Sequence, residues 1–128
     1  MRFMILMIPN TDKYEAGAMP SPELVAKMTA FNQELMDAGV MITGEGLQSS
    51  AKGARLSFSS GKATVTDGPF VDAKEVLGGF WMVEVGSKQE AIDWFSRCPA
   101  EEGNIIEIRQ VFEMCDFPIE VQEAAAVR

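Results

Sequence analysis

The chain has no histidine, two cysteines and a single tyrosine among its 128 residues. Histidine is the side chain that titrates nearest neutrality. Without it, proton transfer falls to carboxylates, Lys74, Tyr14 or water. Cys98 and Cys115 are too far apart for a CxxC redox motif and too few for a metal site. Cys98 falls at the expected end of a helix, where the dipole disfavours a thiolate. Both thiols therefore read as small hydrophobes. Bases are in deficit: 11 Lys and Arg against 19 Asp and Glu leave a net charge of −8. That field repels a phosphate backbone, so no nucleic-acid partner is expected. The longest apolar run, residues 3–8, is too short to span a bilayer or to form a signal-peptide core. A cytoplasmic protein with no membrane partner is the expectation. There is no GxGxxG, P-loop, nucleophile elbow or HExxH, so neither a nucleotide nor a metal cofactor is expected.

What is present suits one domain. A chain of this length can bury roughly two-thirds of the surface it exposes when unfolded, enough to fold without metal or disulfide staples. Residues 2–8 read as a strand apolar on both faces, hence central in a sheet. Residues 9–20 read as a loop. Ser21-Pro22-Glu23 is a helix start, with Ser21 as N-cap and Pro22 in the first position. Leu24, Met28, Phe31 and Leu35 form one helical face, and Gly39 is a left-handed stop. Residues 40–42 are a short strand, and Gly44-Glu45-Gly46 opens a flexible stretch to Gly53. Segments 54–58 and 62–66 flank Ser59-Ser60-Gly61 as a hairpin. A strand over 80–85 precedes a capping box at Ser87-Lys88-Gln89-Glu90. A second helix follows with Ala91, Ile92, Phe95 and Cys98 on one side. Residues 105–114 form the last strand, and a short Ala-rich tail, weakly helical alone, closes the chain.

The order is β-α-β, a hairpin, then β-α-β. Two such halves with both helices on one face predict an α+β, ferredoxin-like sandwich with an inserted β-hairpin. The domain is expected over 1–114, with 115–128 as a tail. Two helices cover only one face of the sheet. The other face spans about 350 Å² in projection, from four strands at about 4.8 Å spacing, and patches of that size often mark interaction sites. In the last strand, Ile106, Ile108, Phe112 and Met114 are expected to face the helices. Ile105, Glu107, Arg109, Val111 and Glu113 share the other side. A homodimer joined through that face would bury its apolar part and leave Glu107 and Arg109 lining a cavity. The alternative is a cross-strand charge pair in water.

The stretch TDGPFVDAKEVLGGFW, residues 66–81, resembles the DGPF subgroup of the YCII-related proteins. It carries the DGPF tetrapeptide, a Lys-Glu pair and a Gly-Gly-aromatic strand. RFMILMI at residues 2–8, AGVMITGEGLQ at 38–48 and IEIRQV at 106–111 support it. The resemblance covers about residues 1–114. It implies a dimeric α+β barrel, akin to muconolactone isomerase-like folds, in small bacterial proteins. Some of these are encoded beside, or fused to, extracytoplasmic-function sigma factors. A His–Asp dyad suggested for other YCII relatives has no counterpart in a chain without histidine.

The candidate site gathers around this stretch. Asp67 is either a turn residue whose carboxylate accepts backbone N–H bonds, or a carboxylate held at a pocket mouth. Glu45, flanked by glycines, is either a solvated turn residue or a second carboxylate aimed at a cleft. If the two converge they form an acid/base pair. Phe70 is expected as a pocket wall or an anchor on a partner chain. Lys74 is read as charge selection at the rim, against a solvated pair with Glu75. Trp81 is either core or ligand platform, and Arg109 an anion holder or the neutraliser of Glu45. The reading that follows is a cofactor-free small-molecule enzyme of proton-transfer or isomerase type. Glu45 and Asp67 would be catalytic; Phe70, Lys74, Trp81 and Arg109 would bind substrate. The alternative is a non-catalytic ligand-binding or regulatory module associated with sigma-factor signalling.

Overall fold

A computed structural model describes residues 1–70 and 75–126. Strand β1 (Arg2–Ile8) leads to a short helix α1 (Thr11–Glu15) and the long helix α2 (Pro22–Asp37). Strands β2 (Met41–Gly46), β3 (Ala54–Ser59), β4 (Lys62–Asp67) and β5 (Gly79–Glu84) follow, then helix α3 (Lys88–Phe95), strand β6 (Ile105–Gln110) and helix α4 (Ile119–Ala126). The main sheet runs β2–β5–β1–β6, with β1 antiparallel to both β5 and β6, and β2 antiparallel to β5. Each β-α-β half therefore spans a strand belonging to the other half. This interleaving is that of a ferredoxin-like α+β sandwich. The doubly apolar β1 lies in the interior of the sheet, as its pattern predicts.

Local chemistry explains most boundaries. The Ser21 hydroxyl accepts the Leu24 N–H and Pro22 opens α2. Gly39, at φ +70°, ends it in the left-handed region. Ser87 caps α3 by accepting the Glu90 N–H, while the Glu90 carboxylate accepts from Gly86 rather than from Ser87 itself. Phe31 and Leu35 from α2 and Ala91 and Phe95 from α3 pack on Phe3, Ile5, Trp81 and Val83 of the central strands. Ile106 and Ile108 flank this core from β6.

Three expectations need correction. Residues 9–20 are not all loop. Asn10 accepts the Lys13 N–H and starts α1, a helix too short to show an apolar period. Gly44-Glu45-Gly46 is strand, not a flexible stretch. A Cβ on Gly44 would stand 2.7 Å from Met41 Cε and 2.8 Å from Trp81 Cδ1, so packing accounts for this glycine. Strand β6 stops at Gln110; beyond it Glu113 pairs with Arg2 and caps a single 3-10 turn at Met114–Asp116. Phe112 and Met114 are exposed as a result, and Phe112 stacks on Phe117 with ring centroids 4.7 Å apart. The Ala-rich tail is helical as α4, where Val121 and Gln122 both donate to the Pro118 carbonyl.

The sheet face opposite the core is without helices α2 and α3. The registers place Glu45, Phe80, Leu6 and Glu107 in one row across it, and Thr43, Met82, Met4 and Arg109 in the next. A register shift between Met41 and Thr43 turns Glu45 to this face. Strands β3 and β4 form a separate two-stranded antiparallel sheet. Its turn at Ser60-Gly61 has φ +52° and +76°, the primed geometry that suits hairpin twist.

Candidate ligand-binding cleft

The 67–70 turn is fastened to the segment leaving β2 by a chain of hydrogen bonds. Gly68 N–H donates to the Gly53 carbonyl at 2.9 Å, and Phe70 N–H to Ser50 Oγ at 2.9 Å. Ser50 in turn donates through its backbone N–H to Glu15 Oε1 at 2.9 Å and through its hydroxyl to the other carboxylate oxygen. The Tyr14 hydroxyl donates to the Leu47 carbonyl. Helix α1, absent from the sequence-based reading, thus anchors the wall that the turn leans on. The Gly68–Pro69 peptide bond is cis. A side chain at position 68 would overlap the Ser50 carbonyl, with Cβ 2.5 Å from its carbon. Only glycine lets the turn seat so closely.

Between these pieces lies a cleft of about 480 Å³, within the usual range for small-molecule sites. Leu47, Ser49, Lys52, Arg55, Phe70 and Leu77 are among its lining residues. The Arg55 guanidinium carbon sits 4.1 Å from the Phe70 ring centroid, a cation–π contact on the wall. The two bonds from Ser50 hold the Glu15 carboxyl below its ordinary pKa of 4.5, because they favour the charged form. The Tyr14 phenol is raised, by burial first and by the neighbouring Glu15 second. Elsewhere, burial pushes the Cys98 thiol up to about 11, which makes it unreactive.

The lowered Glu15 carboxyl makes the wall sensitive to acid. The unfolded chain binds this proton more readily than the folded one. The contribution is therefore complete above about pH 4.5 and is lost as pH falls through the lower folded value. Amide hydrogen exchange at Ser50 and Phe70 is expected to accelerate as pH drops below about 4.5, after correction for intrinsic rates. In Glu15→Gln the step should vanish; a step that persists unchanged would show that another group controls the wall.

Of the residues singled out in the sequence, Phe70 is in the cleft wall, and Glu75 also lines it. Asp67 is the last residue of β4, exposed and opposite Ala54. Glu45 is exposed on the uncovered sheet face. Arg109 stands on β6 and donates to Glu107 at 3.2 Å. Strands β2 and β6 are opposite edges of a four-stranded sheet, about 14 Å apart at normal spacing. One chain therefore does not bring Glu45 and Arg109 together. Lys74 lies outside the described residues. Trp81 requires correction as a ligand platform: it is 6 % exposed, packed in the core, with its indole N–H donating to Asn32 Oδ1 at 2.9 Å. Its alternation with Phe80 puts it on the helix side of the sheet, where no ligand reaches it.

Glu15, Ser50, Lys52 and Arg55 were not anticipated. For the cations a signal exists: Lys52, Arg55 and Lys62 occupy a run, 48–66, that contains no acid in an acidic chain. Glu15 and Ser50 carry no such mark. Among the described residues, no three His, Cys, Asp or Glu side chains come together as a metal site, and no helix is long and apolar enough to cross a membrane.

Residues 1–115 match the YCII-related domain. An uncharacterized protein of Rhizobium meliloti is 33% identical over 95 residues, which are 73% of this chain and 77% of that protein. Among solved structures, a 5-chloro-2-hydroxyhydroquinone dehydrochlorinase from Burkholderia phenoliruptrix, in complex with 2,5-dihydroxybenzoquinone, aligns at a TM-score of 0.43. That alignment has 18% identity and covers 88% of this chain and 96% of the other.

Proposed function

The chain belongs to the YCII-related domain family, and we propose that it binds a small organic anion in the cleft beneath the 67–70 turn. The observation that carries this reading is the Arg55 guanidinium lying over Phe70 in a cleft that Lys52 and Ser49 also line. A guanidinium offers a carboxylate two parallel N–H donors. Phe70, Leu47 and Leu77 offer an unsaturated or aromatic body an apolar surface. A planar unsaturated carboxylate satisfies both halves of the site.

The same reading includes a homodimer through the uncovered sheet face, closing an α+β barrel around Met4, Leu6, Phe80 and Met82. Acid–base chemistry by Glu45 and Asp67 belongs to that two-copy form, with Arg109 as the electrostatic partner. Within one chain Glu45 and Arg109 stand at opposite sheet edges. Lys74 is retained as a rim cation on its position in the sequence.

Titration calorimetry with benzoate, fumarate and the neutral analogue benzamide tests the binding step. Benzoate or fumarate is expected to bind and benzamide not. Arg55→Ala should weaken binding at least tenfold, about 1.4 kcal/mol. Equal affinity for benzoate and benzamide, or an Arg55→Ala protein that binds like the parent, would defeat the assignment.

A further inference from the structure

The segment that leads into β5 is a partition between two cavities. Gly78 donates its N–H to the Met7 carbonyl at 2.8 Å, and its own carbonyl accepts the Leu47 N–H at 2.9 Å. A Cβ at Gly78 would stand 2.9 Å from Pro9 Cγ, so the segment is seated directly on the residue that follows β1. Glu75, earlier in the same segment, lines the cleft on one side and a second cavity of about 280 Å³ on the other. Ile8, Asn10, Asp12 and Ile105 are among the residues that line the second cavity. The charges are laid out unevenly. Lys52 and Arg55 line the cleft, Asp12 lines the second cavity, and Glu75 lines both. The cations and the carboxylate of the cleft do not neutralise each other. Ion pairs among the described residues join Arg2 to Glu113, Arg97 to Glu34 and Arg109 to Glu107. Opposite charges held apart across one cavity leave room for a ligand with complementary ends.

We propose that Glu75 selects, within the cleft, an unsaturated or aromatic acid that also carries an ammonium group. The inference rests on the carboxylate reading above and narrows its ligand. Arg55 takes the carboxylate through its paired N–H donors. Phe70 and Leu77 cover the apolar body. The ammonium has three N–H donors and no acceptor, so it faces Glu75 and donates to its carboxylate. The second cavity gives that end space for water or a substituent, beside a further carboxylate at Asp12. A second acid group at the same end is disfavoured, because it would meet Glu75 with like charge. The chain's overall charge of −8 does not supply this preference on its own. It attracts every cation alike and has no bearing on which end of a ligand lies where. A fixed carboxylate across a cavity from a guanidinium does.

Titration calorimetry with three acids of one shape reads the selection: 4-(aminomethyl)benzoate, 4-methylbenzoate and terephthalate. The parent protein is expected to bind the first at least tenfold tighter than the second, and terephthalate most weakly. Glu75→Gln keeps the shape of the side chain and removes its charge. It should bind 4-(aminomethyl)benzoate and 4-methylbenzoate alike and gain affinity for terephthalate. Asp93→Asn, on α3, makes the same change in net charge away from both cavities and should keep the parent's order. Equal affinity for the three acids in a parent that binds benzoate overturns this inference and leaves the carboxylate reading standing. An ammonium preference that persists in Glu75→Gln, or that Asp93→Asn abolishes equally, also overturns it. Failure of the parent to bind benzoate or any of the three acids overturns both. If Glu75→Gln does not fold, the parent's order across the three acids decides, since equal or reversed affinities overturn the selection.

Discussion

Replacing Trp81 by alanine is expected to cost about 3–5 kcal/mol, the range for removing a large buried aromatic ring. The ring is wedged between Phe31, edge-on at 6.5 Å, and Phe95, tilted at 5.1 Å. It joins the central strand to both covering helices. Its loss would leave a cavity that the sheet backbone cannot close. Trp81→Phe separates two contributions, because it keeps most of the apolar volume but removes the N–H bonded to Asn32. It should cost about 1–2 kcal/mol through lost packing and one lost hydrogen bond. Urea unfolding at a single protein concentration measures both. A Trp81→Ala penalty below about 1 kcal/mol would mean that the ring is not a core support.

Gly68→Ala is expected to be nearly as damaging, about 3 kcal/mol, the upper end for overpacking. Here the obstacle is backbone. The added Cβ would overlap the Ser50 carbonyl, which the neighbouring bonds to Glu15 hold in place. Relief requires lifting the turn away. That breaks the Gly68–Gly53 and Phe70–Ser50 bonds and carries Phe70 out of the cleft. Benzoate binding should fall together with stability. Gly46→Ala is the control: its Cβ would meet nothing within 4 Å. It should change stability by no more than about 0.5 kcal/mol. Similar penalties at the two positions would contradict the close approach at Gly68.

What could be read in the chain, and what could not, follows from the range of the interactions. The helix start at Ser21, the stop at Gly39, the cap at Ser87 and the turn at Ser60-Gly61 each depend on a few consecutive residues, and each stands where the sequence places it. The apolar period of α2 named its buried face, Phe31 and Leu35, for the same reason. Helix α1 escaped because five residues are too few to show a period. Strand β6 ends at Gln110 and is followed by a turn whose Glu113 pairs with Arg2 at the opposite end of the chain, a contact no short window shows.

The cleft divides in the same way. The sequence by itself marked the 66–81 stretch through its Gly-Pro turn, a local property, and Phe70 of that stretch lines the cleft. It also determined the ferredoxin-like order, which follows from element succession and the rule that each β-α-β half brings its strands back to one sheet. Only the tertiary structure decided which charged groups surround the turn. Glu15 reaches Ser50 across 35 positions, and Ser50 reaches Phe70 across 20. It also decided that Glu45 and Arg109 stand at opposite sheet edges and that Trp81 faces inward. Those outcomes depend on strand register and chain-distant contacts. A side chain's face changes with a one-residue shift in pairing, and no short window of residues encodes which distant segment it will meet.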